Sequence, residues 1–325
     1  MARRAALLVL LLAALAGCAR PPVRTPVTSA KPEVLWRPGA AAEQRRQPPA
    51  APFTFVEEDR DGDSPKFVVI DAHGDRWQVK LGPEAQTETV AVRMITALGY
   101  FADETYSVPQ AEVSGIEALE RGREFVAGAR VRHARFEARR PTVQRGEPWE
   151  WSRNPFVGTV ELDALRALMV LINNYDARTD NNHILDVQVG GRTERRYVVT
   201  DLGASFGRVG GMGGRRSKND VDDYRTSPFI AAIQNGHVRF AYRTRPEGWA
   251  VPLTLFNPFY VAGERRKERD MMQVPLPAAR WLTERLRRLP PTALHAAFEE
   301  AGYSSGAATE FVATLNDRIT QLSKH

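Results

Sequence analysis

The sequence predicts an α+β fold, with a small antiparallel sheet and one helix followed by a mostly helical second half. Short β-branched or aromatic runs crowd residues 53–131, and apolar residues recur at helical spacing through most of 161–322. Only one short hairpin interrupts the helical half. In the first half, Phe53 to Val56, Lys66 to Ile70 and Arg76 to Leu81 read as a three-stranded meander, separated by the turns Asp59 to Pro65 and Asp71 to Asp75. Pro83 stands where a first helical turn begins and Gly99 where a helix stops, with Val90, Met94 and Leu98 at helical spacing between them. Tyr106 to Val113 and Glu124 to Val131 complete the sheet.

In the second half, Glu161 to Asn174, Ser227 to Gln234, Ala278 to Leu289, a segment after Pro290-Pro291, and Ala307 to Leu322 are predicted helices. The hairpin pairs Ile184 to Val189 with Arg195 to Thr200 around Gly190-Gly191. The Gly- and Arg-rich stretch Gly207 to Arg216 is expected to be mobile.

The N-terminus carries an address. Arg3 and Arg4 form a positive region, Ala5 to Ala16 is apolar throughout, and Leu15-Ala16-Gly17-Cys18 resembles the bacterial lipobox. As a helix the run reaches roughly 18 Å, short of a hydrocarbon core of roughly 30 Å. We therefore expect residues 1–18 to be a signal peptide and lipobox, with lipid on Cys18. An ordinary signal cleaved after Ala16 is the alternative, and it would leave Cys18 as an unpaired thiol. Ala19 is not the aspartate that retains lipoproteins at an inner membrane, so the expected site is the outer membrane, facing the periplasm or the cell surface. Residues 19–51 read as a Pro- and Ala-rich tether, with the folded domain from 52.

Composition narrows the function. Cys18 is the only cysteine of 325 residues, which excludes a disulfide, a thiolate metal site or a cysteine nucleophile in the folded domain. The net charge of +6 falls to +4 when Arg3 and Arg4 leave, and basic residues form no single tract, so no nucleic-acid role is expected. The six histidines show no zinc spacing. Asp59, Asp61 and Asp63 alternate like a calcium loop, but Ser64 stands where that loop needs glycine and Ile70 where it needs glutamate.

The chemistry is concentrated in one ordered set. Asp176 and Asn181 stand five apart after a long apolar helix, and the hairpin ends in Asp201-Leu202-Gly203. Phosphoryl transfer needs one carboxylate to orient the attacking hydroxyl, and an amide and a second carboxylate to hold divalent ions on the phosphates. Lys80 ends the third strand, and alternation sets it with Gln78 opposite Trp77, Val79 and Leu81, facing a cleft. Glu88, or Glu84 one helical turn earlier, could pair with it. Singly, each residue has a plainer reading: a solvated strand-end lysine, turn aspartates, a strand-ending glycine.

Together the motifs resemble the protein-kinase-like fold, and its atypical branches (HipA-type, phosphatidylinositol and secreted kinases) more than ordinary protein kinases. Glu84 to Glu88 with Leu98-Gly99-Tyr100, the Asp176 to Asn181 loop, and Asp201 to Gly207 look like a family of bacterial exported kinase-like proteins. The resemblance implies a two-lobed domain, with an N-lobe over 52–131 and a C-lobe over 132–325. It implies catalytic roles for Asp176, Lys80 and Glu88, and ATP or another nucleotide against Lys80, Gln78 and Ser64. Mg2+ or Mn2+ would sit on Asn181 and Asp201, and the acceptor is unspecified. The chain departs from the pattern in five places, one of them Gln78, which stands where a kinase usually has a small apolar residue against adenine. No GxGxxG is present, the turn Glu57 to Pro65 is acidic where phosphates would lie, no His-Arg precedes Asp176, and no Ala-Pro-Glu follows Asp201. A non-catalytic kinase-like binding module in the cell envelope is therefore the main alternative. A third reading takes Gly203-Ala204-Ser205-Phe206-Gly207 as a hydrolase elbow with Ser205 as nucleophile. The four glycines within 208–216 oppose the helix that such an elbow needs.

Overall fold

The computed structural model describes residues 31–40, 47–62, 64–139, 145–210, 216–246, 248–249, 254–290 and 292–324. The signal segment, Cys18 and residues 211–215 of the Gly-rich stretch lie outside them. The chain divides into two compact units, Met1–Pro32 and Glu33–His325. The second unit closes its cores within itself. It begins at Glu33, ahead of the expected start at 52, because β1 (Glu33–Val34) pairs with a later strand and Leu35 and Ala40 are buried.

Five strands of the first half form a closed barrel rather than an open sheet, and a sixth flanks it. In chain order β2 (Phe53–Asp59), β3 (Lys66–Ile70) and β4 (Arg76–Lys80) make the expected antiparallel meander. Then come α1 (Pro83–Ala97), the two-residue β5 (Phe101–Ala102) and β6 (Thr105–Ser114). β7 (Val126–Ala127) is short, and β8 (Arg130–Ala138) pairs with both β6 and β4, so the order β4-β3-β2-β6-β8 returns on itself and β7 flanks β8. Closure leaves the five ring strands without an open edge. Phe53, Phe67, Val69, Trp77, Val79, Val113 and Phe136 fill the interior. The expected strand over Glu124–Val131 is displaced, because Gly128 at φ 61° turns the chain inside that apolar run. The true strand follows it through Ala138, where alternating arginines hide the pattern. An expected boundary at 131 therefore cuts through β8.

Helix α1 does not cap the barrel alone. Its Val90, Met94, Ile95 and Leu98 join the larger core, with Leu165 and Leu168 of α2 (Val160–Leu171) and Phe298 further on. Thr159 caps α2 by accepting from Leu162 N–H. A second sheet is centred on the predicted hairpin. β9 (Arg145–Pro148) lies beside β10 (Asn182–Val189), and β11 (Arg192–Val199) carries β1 and β5 as parallel neighbours.

Beyond α3 (Val221–Thr226), the predicted helix at Ser227–Gln234 is instead a hairpin, β12 (Ile230–Gln234) and β13 (His237–Phe240). Asn235 and Gly236 both take positive φ, 52° and 73°, the geometry that Asn-Gly supplies to a tight hairpin turn. The unpredicted α4 (Pro258–Met271) follows, then β14 (Gln273–Pro275) on β13. The chain ends in α5 (Leu276–Arg288), α6 (Ala293–Glu300) and α7 (Ser305–Ser323), close to the expected bounds. No described helix is long and apolar enough to cross a membrane.

Phe136 packs its ring 4.9 Å from that of Phe53 and 6.5 Å from that of Trp77, at the centre of the barrel. Phe136→Ala should cost about 3–5 kcal/mol in urea denaturation. A loss below about 1 kcal/mol would show that the barrel is not a packed core.

Candidate active site

The site is built where β4, α1, β8 and two loops of the helical half converge. Alternation on β4 sends Trp77 and Val79 into the barrel and leaves Gln78 and Lys80 facing out. Lys80 Nζ donates to Glu88 Oε2 at 2.8 Å and to Asp201 Oδ1 at 2.9 Å, and lies 3.5 Å from Glu84 Oε2. Glu88 is therefore the nearer helical partner. Glu84 is also engaged by Lys218 and by the Ser64 hydroxyl.

A second cation lies beneath. Arg135 of β8 is fully enclosed, with Nη1 3.1 Å from Glu88 Oε1 and 2.7 Å from Glu137 Oε2. Each oxygen of Glu88 thus faces one cation. Arg135 and Glu137 escaped sequence reading because an Arg-rich strand looks solvated, although their two-residue spacing opposite Ala134 and Phe136 was a usable signal.

Asp201 sits at φ 50°, in the left-handed region that costs a non-glycine residue energy, at the turn leaving β11. Leu202 is buried behind it, and the turn is drawn against α1, where Thr87 Oγ1 donates to Gly203 O at 2.7 Å. A Cβ on Gly203 would meet Glu84 Cβ at 2.9 Å, so only glycine permits this approach. The Asp176 loop is braced from inside. Asp176 N–H donates to Asn174 Oδ1, Asn181 Nδ2 donates to Asp176 O, both at 2.9 Å, and Tyr242 Oη donates to Asn174 O at 2.8 Å.

One cleft of about 470 Å³ collects Lys80, Gln78, Ser64, Glu88, Asp176, Asn181 and Asp201. Its lining holds seven carboxylates against five lysines and arginines, with no large aliphatic side chain and no ring other than the His183 imidazole. Lys66, directly across from Lys80 in register, adds a cation that the sequence reading missed. Gln78, expected against a base, donates to Asp59. The acidic turn is compensated locally. Arg121 N–H and Nε both reach Glu58 Oε1, Arg121 Nη2 donates to Asp59 O, and Arg60 turns away to Glu120 at 2.8 Å. Asp63 lies outside the described residues.

The charges set opposed proton affinities. Burial alone would lower the Lys80 ammonium, but Glu88 foremost, with Asp201 and Glu84, lifts it above an ordinary lysine. Burial would raise Asp201, yet Lys80 holds it below the usual aspartate range. Asp176 is pushed up by burial and by the Asp201 charge, against the pull of Arg178 and Lys267. Two neighbouring carboxylates driven apart in this way suit one to proton handling and the other to permanent charge.

The two expected metal ligands, Asn181 and Asp201, fit a hard cation in part. Asn181 spends its amide N–H on Asp176, which leaves its carbonyl oxygen as a donor, and the Asp201 side chain is 49% exposed to the cleft. Such an oxygen set suits Mg2+ or Mn2+, which keep waters and take phosphate oxygens as further ligands. Among the described residues no group of three or more His, Cys, Asp or Glu could hold a metal without such help.

The Ser205 reading fails on geometry. Ser205 is wholly buried, its hydroxyl donates to Leu202 O at 2.8 Å, and among the described residues the next helix after it begins at Val221.

No protein-family model matches the sequence, and no curated protein matches it. Solved structures similar in shape include a Helicobacter pylori proinflammatory kinase, CtkA, at TM-score 0.45 and 12% identity, covering 83% of this chain and 95% of that one. The Golgi casein kinase with Mn/ADP bound follows at 0.32 and 12%, covering 87% and 74%. The HipA–HipB–operator complex of Shewanella oneidensis stands at 0.29 and 10%, covering 90% and 70%. These scores are too low to transfer chemistry, so the site is read from its own side chains.

Arg135→Met would take from Glu137 its nearer cation, leaving Arg139 at 4.0 Å, and would leave Glu88 with Lys80. A loss of about 3–5 kcal/mol in urea denaturation is expected, and a neutral result would mean that the cluster is not closed to water. Asp176 gives the opposite sign. Its raised folded pKa means that the ionised form is disfavoured in the fold at pH 7, so Asp176→Asn should raise the thermal midpoint there. The gain should vanish below about pH 4, where the carboxyl is protonated folded and unfolded. A lower midpoint at pH 7 would contradict the assignment.

Proposed function

We propose that the chain is an exported, lipid-anchored phosphotransferase of protein-kinase-like, two-lobed design, using a nucleotide donor and a divalent metal. The observation that carries this reading is the convergence of Lys80, Glu88, Asp176, Asn181 and Asp201 on one polar cleft. Lys80, fixed by Glu88, would contact a donor phosphate. Asp176, held by its own loop, would orient the acceptor hydroxyl and take its proton as the new phosphoester bond forms and the bond to the leaving phosphate breaks. Asn181 and Asp201 would hold the metal, which supplies neutralisation of phosphate charge. Lys66 offers a further positive contact. The lining without apolar walls favours the phosphate end of the donor over its base. The address on Cys18 belongs to the same proposal: an outer-membrane lipoprotein facing the periplasm or the cell surface, with no role in nucleic-acid binding.

A second reading, a kinase-like module that binds without turnover, draws support from the contact of Asp201 with Lys80 and from the acidic excess of the cleft. Both would weaken polyphosphate binding, and ATP is expected to be scarce outside the cytoplasm.

A thermal-shift titration with ATP and Mg2+ or Mn2+ tests the site. The wild-type midpoint should rise with ligand, and Asp201→Asn and Lys80→Ala should abolish the rise. No wild-type shift, or equal shifts in all three, would sink the nucleotide site. Labelled phosphate transfer then separates catalyst from binding module. If Asp176 is the base, the transfer rate should fall on the acid side with an apparent pKa above that of a free aspartate. A flat profile down to pH 4 would remove that role.

A further inference from the structure

The three most exposed large apolar side chains among the described residues stand together. Leu255, Phe256 and Phe259 are 83, 84 and 88% exposed, at the entrance to α4. Helix α4 buries Val261, Glu264 and Met271, while Ala262, Gly263, Arg265, Arg266 and Arg269 stay on the outside. Arg266 reaches Glu150 at 2.7 Å, whereas Arg265 and Arg269 make no ion pair among the described residues. An apolar aromatic tip followed by exposed guanidinium groups is the pattern that settles into a lipid interface, with rings at the acyl boundary and cations on the phosphates. We propose that Leu255–Arg269 docks on an anionic phospholipid surface. A symmetric second copy centred on this face is disfavoured as the occupant, because it would set one cationic helix face against the same cationic face.

The same helix borders a cavity of about 490 Å³ that contains Gly263, Lys267, Asp176 and Arg178. Docking would therefore hold one approach to Asp176 at the bilayer. This last step rests on the phosphotransferase reading, whereas the docking itself does not.

The experiment uses the chain Glu33–His325, which lacks the lipid anchor and retains both main cores. It is sedimented with phosphatidylcholine vesicles, with and without a minor share of phosphatidylglycerol. Binding to the anionic vesicles should exceed binding to neutral ones by about ten-fold and weaken with salt. Phe256→Ser/Phe259→Ser should abolish it, and Arg265→Gln/Arg269→Gln should remove the preference for phosphatidylglycerol. Equal partition into both vesicles, or unchanged binding of the Phe variant, would overturn the proposal. So would a concentration-dependent dimer that the Phe variant abolishes. The same samples are titrated with ATP and Mn2+. A nucleotide shift without vesicle binding defeats docking alone, and vesicle binding without a shift supports docking while defeating the nucleotide site.

Discussion

Lys80, Glu88 and Arg135 share a space from which water is nearly shut out, and removing any one of the three takes a close counter-charge from a buried neighbour. Each belongs to a different element: Lys80 ends β4, Glu88 lies in α1, and Arg135 sits in β8. The cluster therefore fixes the helix against two strands of the barrel. It also places the Lys80 ammonium within reach of Asp201, which arrives from the opposite side of the cleft on the turn after β11. A swing of Glu88 away from Lys80 would part it from Arg135 as well, leaving that enclosed cation to Glu137.

That anchoring explains how a cleft so rich in carboxylates holds its shape. Asp201 and Glu84 are stabilised as anions chiefly by Lys80, while Asp176, farther from that lysine, feels burial and the charge of Asp201 instead. Lys80 faces three carboxylates, those of Glu84, Glu88 and Asp201. The proposed function asks for a rearrangement when a polyphosphate and metal bind. With them, Lys80 and Asp201 would each exchange a partner, and the acidic lining would serve cations as much as it opposes anions.

The residues legible in the sequence were those with a local signature. Lys80 followed from strand alternation, the Asp176 to Asn181 loop from its spacing after an apolar helix, and Asp201 from the end of a hairpin. Glu88 was favoured over Glu84 by resemblance, and side-chain distance now places it nearer. Long-range pairing was not legible. Nothing local in Arg130–Ala138 shows that this strand returns to β4 and closes a barrel, or that its arginine is buried by a glutamate 47 residues earlier. The Ser227–Gln234 helix failed because Ile230-Ala231-Ala232-Ile233 suits either period, and the Asn235-Gly236 turn that decides between them was overlooked. Residues 33–40 were assigned to the tether by composition, although Leu35 and Trp36 reach the core.

If the proposed function is right, Asp201 exchanges its lysine for a divalent cation when a polyphosphate enters beside Lys80. Electron paramagnetic resonance of Mn2+ reads this directly, because bound manganese loses the sharp signal of the free ion. Titrating the protein into Mn2+ with ADP should remove signal beyond the loss that ADP alone causes, to about one equivalent of protein, and Asp201→Asn should remove little beyond that baseline. No loss beyond that baseline with wild-type protein, or equal loss with the variant, would contradict the account.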